Sequence, residues 1–236
     1  MNIIALLFGK MGTGETAPVP VRARLDASAP GNSVPDLTAA MADYSGYTRQ
    51  GAIARAVTLR HVELLPSIAA RLNDWVPQVR DAARAALITL LPTTAPQAML
   101  ALAPAIVHLR KAGRHDHTAW VNTFERALIA QLTPKVLLEG IGSTDAKVAR
   151  ACFQIMHRHA PSDAAHLIAA AFASRSDIVM MYEAAAMISL LPAETRPALY
   201  QAMLRSAFGA VRAIGLSAVL GGPASDVKRE TALAHL

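Results

Sequence analysis

A chain of 236 residues has room for one large domain or one repeat array, and this one is 53% hydrophobic but only 5% aromatic. That mix excludes a sheet-rich core, which wants aromatic and β-branched residues, and suits closely packed helices rich in alanine and leucine. One cysteine, Cys152, excludes an internal disulfide framework and fits a reducing, cytoplasmic setting, while a net charge of +6 with pI near 9.9 permits acidic partners without requiring them.

In chain order, Asn2 to Phe8 (NIIALLF) is apolar but only seven residues long. A membrane span needs roughly 20 residues. A secretory signal wants a basic region ahead of its apolar run, and here Lys10 follows it. The expected role is docking on the repeat domain or on a partner, with an atypical export signal as the other reading. Met11 to Pro35 is rich in Gly, Pro, Thr and Ser, and its prolines predict an extended linker. Residues 1–34 are therefore read as an N-terminal arm, 35–220 as the repeat domain and 221–236 as a C-terminal capping segment. Within that last segment a short helix is predicted over Ser225–His235 after the Gly-Gly-Pro break.

From Pro35 onward the pattern is helical. The clearest stretch is His61–Pro92. Val79, Ala83, Ala86, Leu87 and Leu90 fall on one face of a helix, and the two alanines keep that face thin enough for close approach by a neighbour. Asn73 and Asp74 are turn residues, Pro77 suits a first helical turn, and Pro92 ends the helix. Val62–Leu72 carries its own apolar set, so the two helices must pack together and then stack on neighbours. Second-helix anchors recur at Thr48, Val79, Trp120, Val148, Val179 and Val211, with VMMYEAAAMISLLP tracking VRDAARAALITLLP through the shared Leu-Leu-Pro ending. The matching first helices are predicted over Asp36–Asp43, Val62–Leu72, Pro96–Arg110, Pro134–Gly140, Asp163–Ala173 and Thr195–Ala207. The third unit has a long turn, Lys111 to His117. The reading is all-α: a right-handed α-solenoid of about six helix pairs with an extended N-terminal arm.

His61–Pro92 resembles a HEAT repeat: Pro66 lies in the first helix, Asp74 in the turn, and Val79-Arg80 opens the second helix. Asp43 and Arg49 stand at the same separation in the first unit. The resemblance covers roughly Pro35 to Leu220 and implies an Asp–Arg ladder between neighbouring units. Units three and four depart from the pattern, with Val121 and Ala149 at the arginine position. Such repeats are a fold signature and carry little functional specificity.

Few residues invite a chemical reading. His115-Asp116-His117 could offer two zinc ligands, but no third ligand is visible nearby, and a solvated polar turn is expected. His157 and His159 suit a helix C-terminus. Gly9 to Gly14 (GKMGTG) lacks the phosphate-loop order. Cys152 is expected as a small buried hydrophobe. Glu183 falls on what should be a buried stripe, and a slight helix rotation that pairs it with Arg150 or Arg212 is the plainer account, a functional role the other. No catalytic constellation, cofactor motif or metal site is expected.

By the resemblance, second helices line a concave groove, and residues off their buried stripes are the candidates for binding. Arg49, Arg80 and Arg84 are expected to supply charge, and Met180, Met181 and Leu216 apolar contact. That groove suits an acidic or amphipathic peptide or helix of a protein partner, making the chain a non-catalytic scaffold or adaptor. The alternative is a nucleic-acid-binding protein, as in the HEAT-like alkylpurine DNA glycosylases; a bilin-lyase-like reading has only the general repeat type behind it. Scattered basic residues and scarce aromatics count against nucleic acid.

Overall fold

The computed structural model describes residues 31–159 and 163–221. The N-terminal arm up to residue 30 and the predicted capping helix Ser225–His235 lie outside the described residues. Among the described residues there are twelve α-helices and no strand. They form two compact units, the first ending at Gln131 and the second beginning at Leu132, where the sequence reading has one repeat domain. No described helix is long and apolar enough to cross a membrane.

The first unit holds α1 (Val34–Met41), α2 (Gly46–Thr58), α3 (Leu65–Ala69), α4 (Pro77–Leu90), α5 (Pro96–His108) and α6 (Thr118–Gln131). The second holds α7 (Pro134–Ile141), α8 (Ala146–His159), α9 (Ala164–Ala173), α10 (Ile178–Met187), α11 (Arg196–Leu204) and α12 (Gly209–Leu220). Each unit is thus three helix pairs. The starts are written locally. Pro66, Pro77, Pro96, Pro134 and Pro197 occupy first-turn positions, where the missing N–H costs nothing. Ser33 and Ser45 cap α1 and α2 through their hydroxyl oxygens, and Asp177 accepts from the Val179 and Met180 N–H groups at the head of α10.

Packing within each unit repeats. In the first, α2 lies closely along α4, α1 touches α3, and α3 touches α5; in the second, α7 touches α9, α9 touches α11, α8 touches α10, and α10 touches α12. First helices stack on first helices, second on second. The buried stripe of α4 is Val79, Ala83, Ala86, Leu87 and Leu90, as its periodicity requires. The close approach of α11 and α12 depends on Gly215. A Cβ there would stand 2.8 Å from Met203 Cβ and 3.2 Å from the Tyr200 carbonyl oxygen.

Two second helices sit rotated from the expected register. In α8 the buried line begins at Ala149 rather than Val148, and in α10 at Met180 rather than Val179. The Leu-Leu-Pro match between units two and five is misleading for a simple reason. Helix α4 runs on to Leu90, which is buried, whereas α10 stops at Met187 and leaves Leu190 81% exposed. One residue of shift turns a helix by about 100°, so Met180 and Met181 move into the core and Val179 moves out.

Candidate functional site

The second helices carry a repeated arginine arrangement. Arg49 on α2 donates from Nε (2.9 Å) and Nη2 (2.8 Å) to the two carboxylate oxygens of Asp74, in the turn of the next pair. Its Nη1 donates to the Asp43 and Tyr44 carbonyl oxygens, six and five residues upstream, at 2.7 and 2.8 Å. Arg80 makes the same clasp on the Asp74 and Trp75 carbonyl oxygens, and Arg212 on those of Ser206 and Ala207. In the fourth helix pair Arg150 donates to Asp177 from Nε and Nη2 at 2.6 and 2.7 Å. The rung absent from the fourth pair's pattern at Ala149 is therefore filled by Arg150, because α8 is rotated by one residue.

Burial by itself would raise the Asp74 pKa. The Arg49 hydrogen bond, the Val76 N–H and the charges of Arg49 and Arg71 outweigh that and hold its carboxyl below the usual range. Asp177 behaves alike: burial opposes, but Arg150 and the helix-head N–H groups hold its carboxyl low. Arg150 is raised in turn, first by its bond to Asp177, with Glu183 adding to the field.

These contacts revise the expected binding set. Arg49 is buried and spent on Asp74, so it offers no charge to a partner. Met180 and Met181 are fully buried, and the Ser206 hydroxyl donates to the Met181 sulfur. Leu216 is half-buried on α12. Glu183 leaves the stripe as α10 rotates, and Ala184 takes the small position. Its hydrogen-bond partner is the side-chain amide of Gln154, which donates to both carboxylate oxygens at 3.0 and 2.9 Å, while Arg150 acts on it through charge. Cys152 is buried, and burial pushes its thiol up to about 12. The sequence reading overlooked Glu125. It is fully buried on α6 and takes Arg110 Nε at 3.3 Å and Nη2 at 2.6 Å, with Asn122 on the same guanidinium. The available signal is its place beside the apolar positions Trp120, Val121, Phe124 and Leu128 of the same helix.

Arg80 and Arg84 remain, and the structure joins them to the third helix pair, within the same unit. Here α4 and α6 approach far less closely than α2 and α4 do, and side chains span the gap. Arg84 Nη2 donates to His117 Nδ1 at 3.0 Å, and the Arg84 guanidinium lies 5.8 Å from the centroid of the Trp120 ring. A guanidinium can only donate, so Nδ1 is the acceptor and the histidine is the neutral tautomer with its proton on Nε2, directed at Asn73 Oδ1, 3.3 Å away. The expected solvated turn is thus half right: His115 and Asp116 are exposed, but His117 is buried. Burial lowers its pKa, and the charges of Arg84, His115 and Arg80 lower it further. Burial also lowers Arg84; Asp81 opposes and Arg80 adds to the lowering. Among the described residues no group of three or more His, Cys, Asp or Glu could hold a metal ion.

On these side chains three donors closed to solvent have no acceptor among the described residues: Arg80 Nε, Arg84 Nε and Trp120 Nε1. Each such group costs about 1–3 kcal/mol when left unpaired. Beside them, at the turn edge of the first two pairs, Tyr44 is 89% and Trp75 60% exposed, with ring centroids 6.3 Å apart. The Arg49 guanidinium lies 5.6 Å from the centroid of the Trp75 ring. Tyr47, one turn on, is also exposed. No family model matches the chain, and comparison with curated proteins and with solved structures gave no match.

Proposed function

We propose that this protein is a non-catalytic binding module that holds a protein partner against the first unit, on the surface formed by Tyr44, Tyr47, Trp75, Arg80 and Arg84. The observation that carries this is the exposed aromatic group. Folding does not demand that Tyr44 and Trp75 stand together in solvent, and aromatic and arginine side chains are the anchors that protein interfaces favour. The finer architecture in this reading is a right-handed α-solenoid of about six HEAT-like pairs in a cytoplasmic setting. First-on-first and second-on-second stacking, the recurring arginine clasp and the lone buried cysteine support it.

The partner surface now lies within one unit. With Met180 and Met181 in the core, the apolar half expected from units five and six falls away. Nucleic acid is the second reading, supported by the +6 charge and the exposed aromatics. Against it, Asp74 neutralises Arg49 and Arg71, and the basic residues are scattered along the sequence. The test is capture from the native host by wild-type protein and by the Tyr44→Ala/Trp75→Ala variant, with Leu190→Ala as an exposed apolar control in the other unit. One protein captured by wild type and control but not by the double variant supports the reading. Binding of a labelled oligonucleotide that falls steeply with salt, with no protein captured, would replace it by the nucleic-acid one.

A further inference from the structure

The filled rungs show what an arginine in this position binds. Arg49 presents its Nε and Nη2 edge to both oxygens of Asp74, and Arg150 presents the same edge to Asp177. Arg80 reproduces the other half of the Arg49 arrangement, with Nη1 on the Asp74 and Trp75 carbonyl oxygens at 2.9 and 3.5 Å. Yet among the described residues its Nε has no acceptor and no carboxylate forms an ion pair with it. Arg80 is a rung without its acid.

The third helix pair explains why. Its turn faces Asp116 outward, where the carboxylate accepts from the Thr118 N–H at 2.8 Å, and sends His117 and Trp120 inward instead. Trp120 is only 8% exposed, and among the described residues its Nε1 lacks an acceptor, as does Arg84 Nε. Two cationic side chains and an indole N–H therefore border one gap between α4 and α6. Among the described residues the acid in ion-pair range of Arg84 is Asp81, 3.5 Å away, with a side chain 71% exposed.

We propose that this gap is a carboxylate site that takes an Asp or Glu side chain from an acidic segment of the protein partner. This deepens, and rests on, the partner-binding reading above. The incoming carboxylate takes the Nε–Nη2 edge of Arg80, as Asp74 does on Arg49, with Trp120 Nε1 and Arg84 as further donors. Arg84 is the movable member, held by one histidine nitrogen, the face of the Trp120 ring and a long contact with an exposed aspartate, and its displacement admits the ligand. Carboxylate is favoured over phosphate on two grounds. Both filled Asp–Arg rungs hold carboxylates, and the rim residue Asp81 repels a more highly charged group.

The chain's two tryptophans provide the measurement. In 15N-labelled protein the indole N–H resonances of Trp75 and Trp120 are assigned with W75F and W120F. Blocked tetraglutamate is then titrated in at constant ionic strength. The Trp120 resonance should move saturably. R80Q and R84Q should each weaken binding by roughly tenfold or more, the loss of one charge-assisted hydrogen bond. D81N, at an exposed position, should tighten it. Because R80Q also breaks the turn clasp, W120F supplies a variant that leaves both arginines in place and removes the indole donor while keeping an aromatic ring at that buried position; its binding, read from backbone amides on α4, should weaken. A shift that does not saturate, or that persists unchanged in the R80Q/R84Q double variant, overturns the proposal. So does an oligonucleotide or inorganic phosphate that binds the gap more tightly than the peptide. Partner capture that survives R80Q/R84Q also overturns the site and leaves the partner-binding reading standing. A saturable, arginine-dependent shift with no capture by the wild type keeps the site and removes that reading.

Discussion

Arg49→Met removes the cation of the most enclosed rung and leaves its acid in place. The side chains of Arg49 and Asp74 are 3% and 2% exposed, so water cannot take over the lost contacts without local opening. The substitution deletes two charge-assisted bonds to Asp74 and two to the Asp43 and Tyr44 carbonyls. Stranding one member of a buried pair costs about 3–5 kcal/mol, a large share of a domain's 5–15 kcal/mol margin. With a urea slope near 2 kcal/mol per molar, the midpoint should fall by roughly 1.5–2.5 M. Tryptophan fluorescence is the assay, because Trp75 and Trp120 both lie in the first unit and report its unfolding alone. Asp74→Asn and the double variant complete a cycle, in which the coupling should reach about 2 kcal/mol or more. Arg150→Met should cost less, about 1–2 kcal/mol, since the Arg150 side chain is 36% exposed and water can compensate. A loss below about 1 kcal/mol for Arg49→Met, or a coupling near zero, would refute the claim that the rung holds the first two pairs together.

His117 has a folded-state pKa below its usual 6.5, so the unfolded chain takes up the proton first. Its contribution is fully present above about pH 6.5 and is lost as pH falls through that value toward the lowered one. The fluorescence midpoint should therefore drop between pH 7.5 and 5 more steeply in the wild type than in His117→Gln. Gly215→Ala places a methyl against Met203 and should destabilise the second unit by about 1–3 kcal/mol despite alanine's better helix propensity, read by far-UV circular dichroism. Met181→Ala should cost about 2–5 kcal/mol of stability as a core truncation and leave partner binding by the first unit unchanged in surface plasmon resonance. Ala83→Arg forces a long cation into the fully buried stripe of α4 and should lower the fluorescence midpoint by several kcal/mol, about the scale of the whole margin; unchanged stability would mean the stripe is misplaced.

Local structure is legible in the chain. Prolines, caps and the helical period of apolar residues place each of the six helix pairs to within a few residues. The stripe Val79–Leu90 was legible because alanines at 83 and 86 leave no other face to bury. Asp74 and Arg80 stood out as turn and helix-head residues. Tertiary packing decided the rest. The rotation of α8 and α10 by one residue does not show in a stripe that reads apolar on two faces, as Val179-Met180-Met181 does. Which arginine is satisfied and which is left with an open edge depends on what the next pair brings to meet it. Arg49 and Arg80 sit in equivalent local settings, and they differ only because the second turn presents Asp74 while the third presents His117 and Trp120. An ion pair needs two groups brought within a few ångströms across 25 residues of chain, and that distance belongs to the stacking of helices rather than to either helix alone.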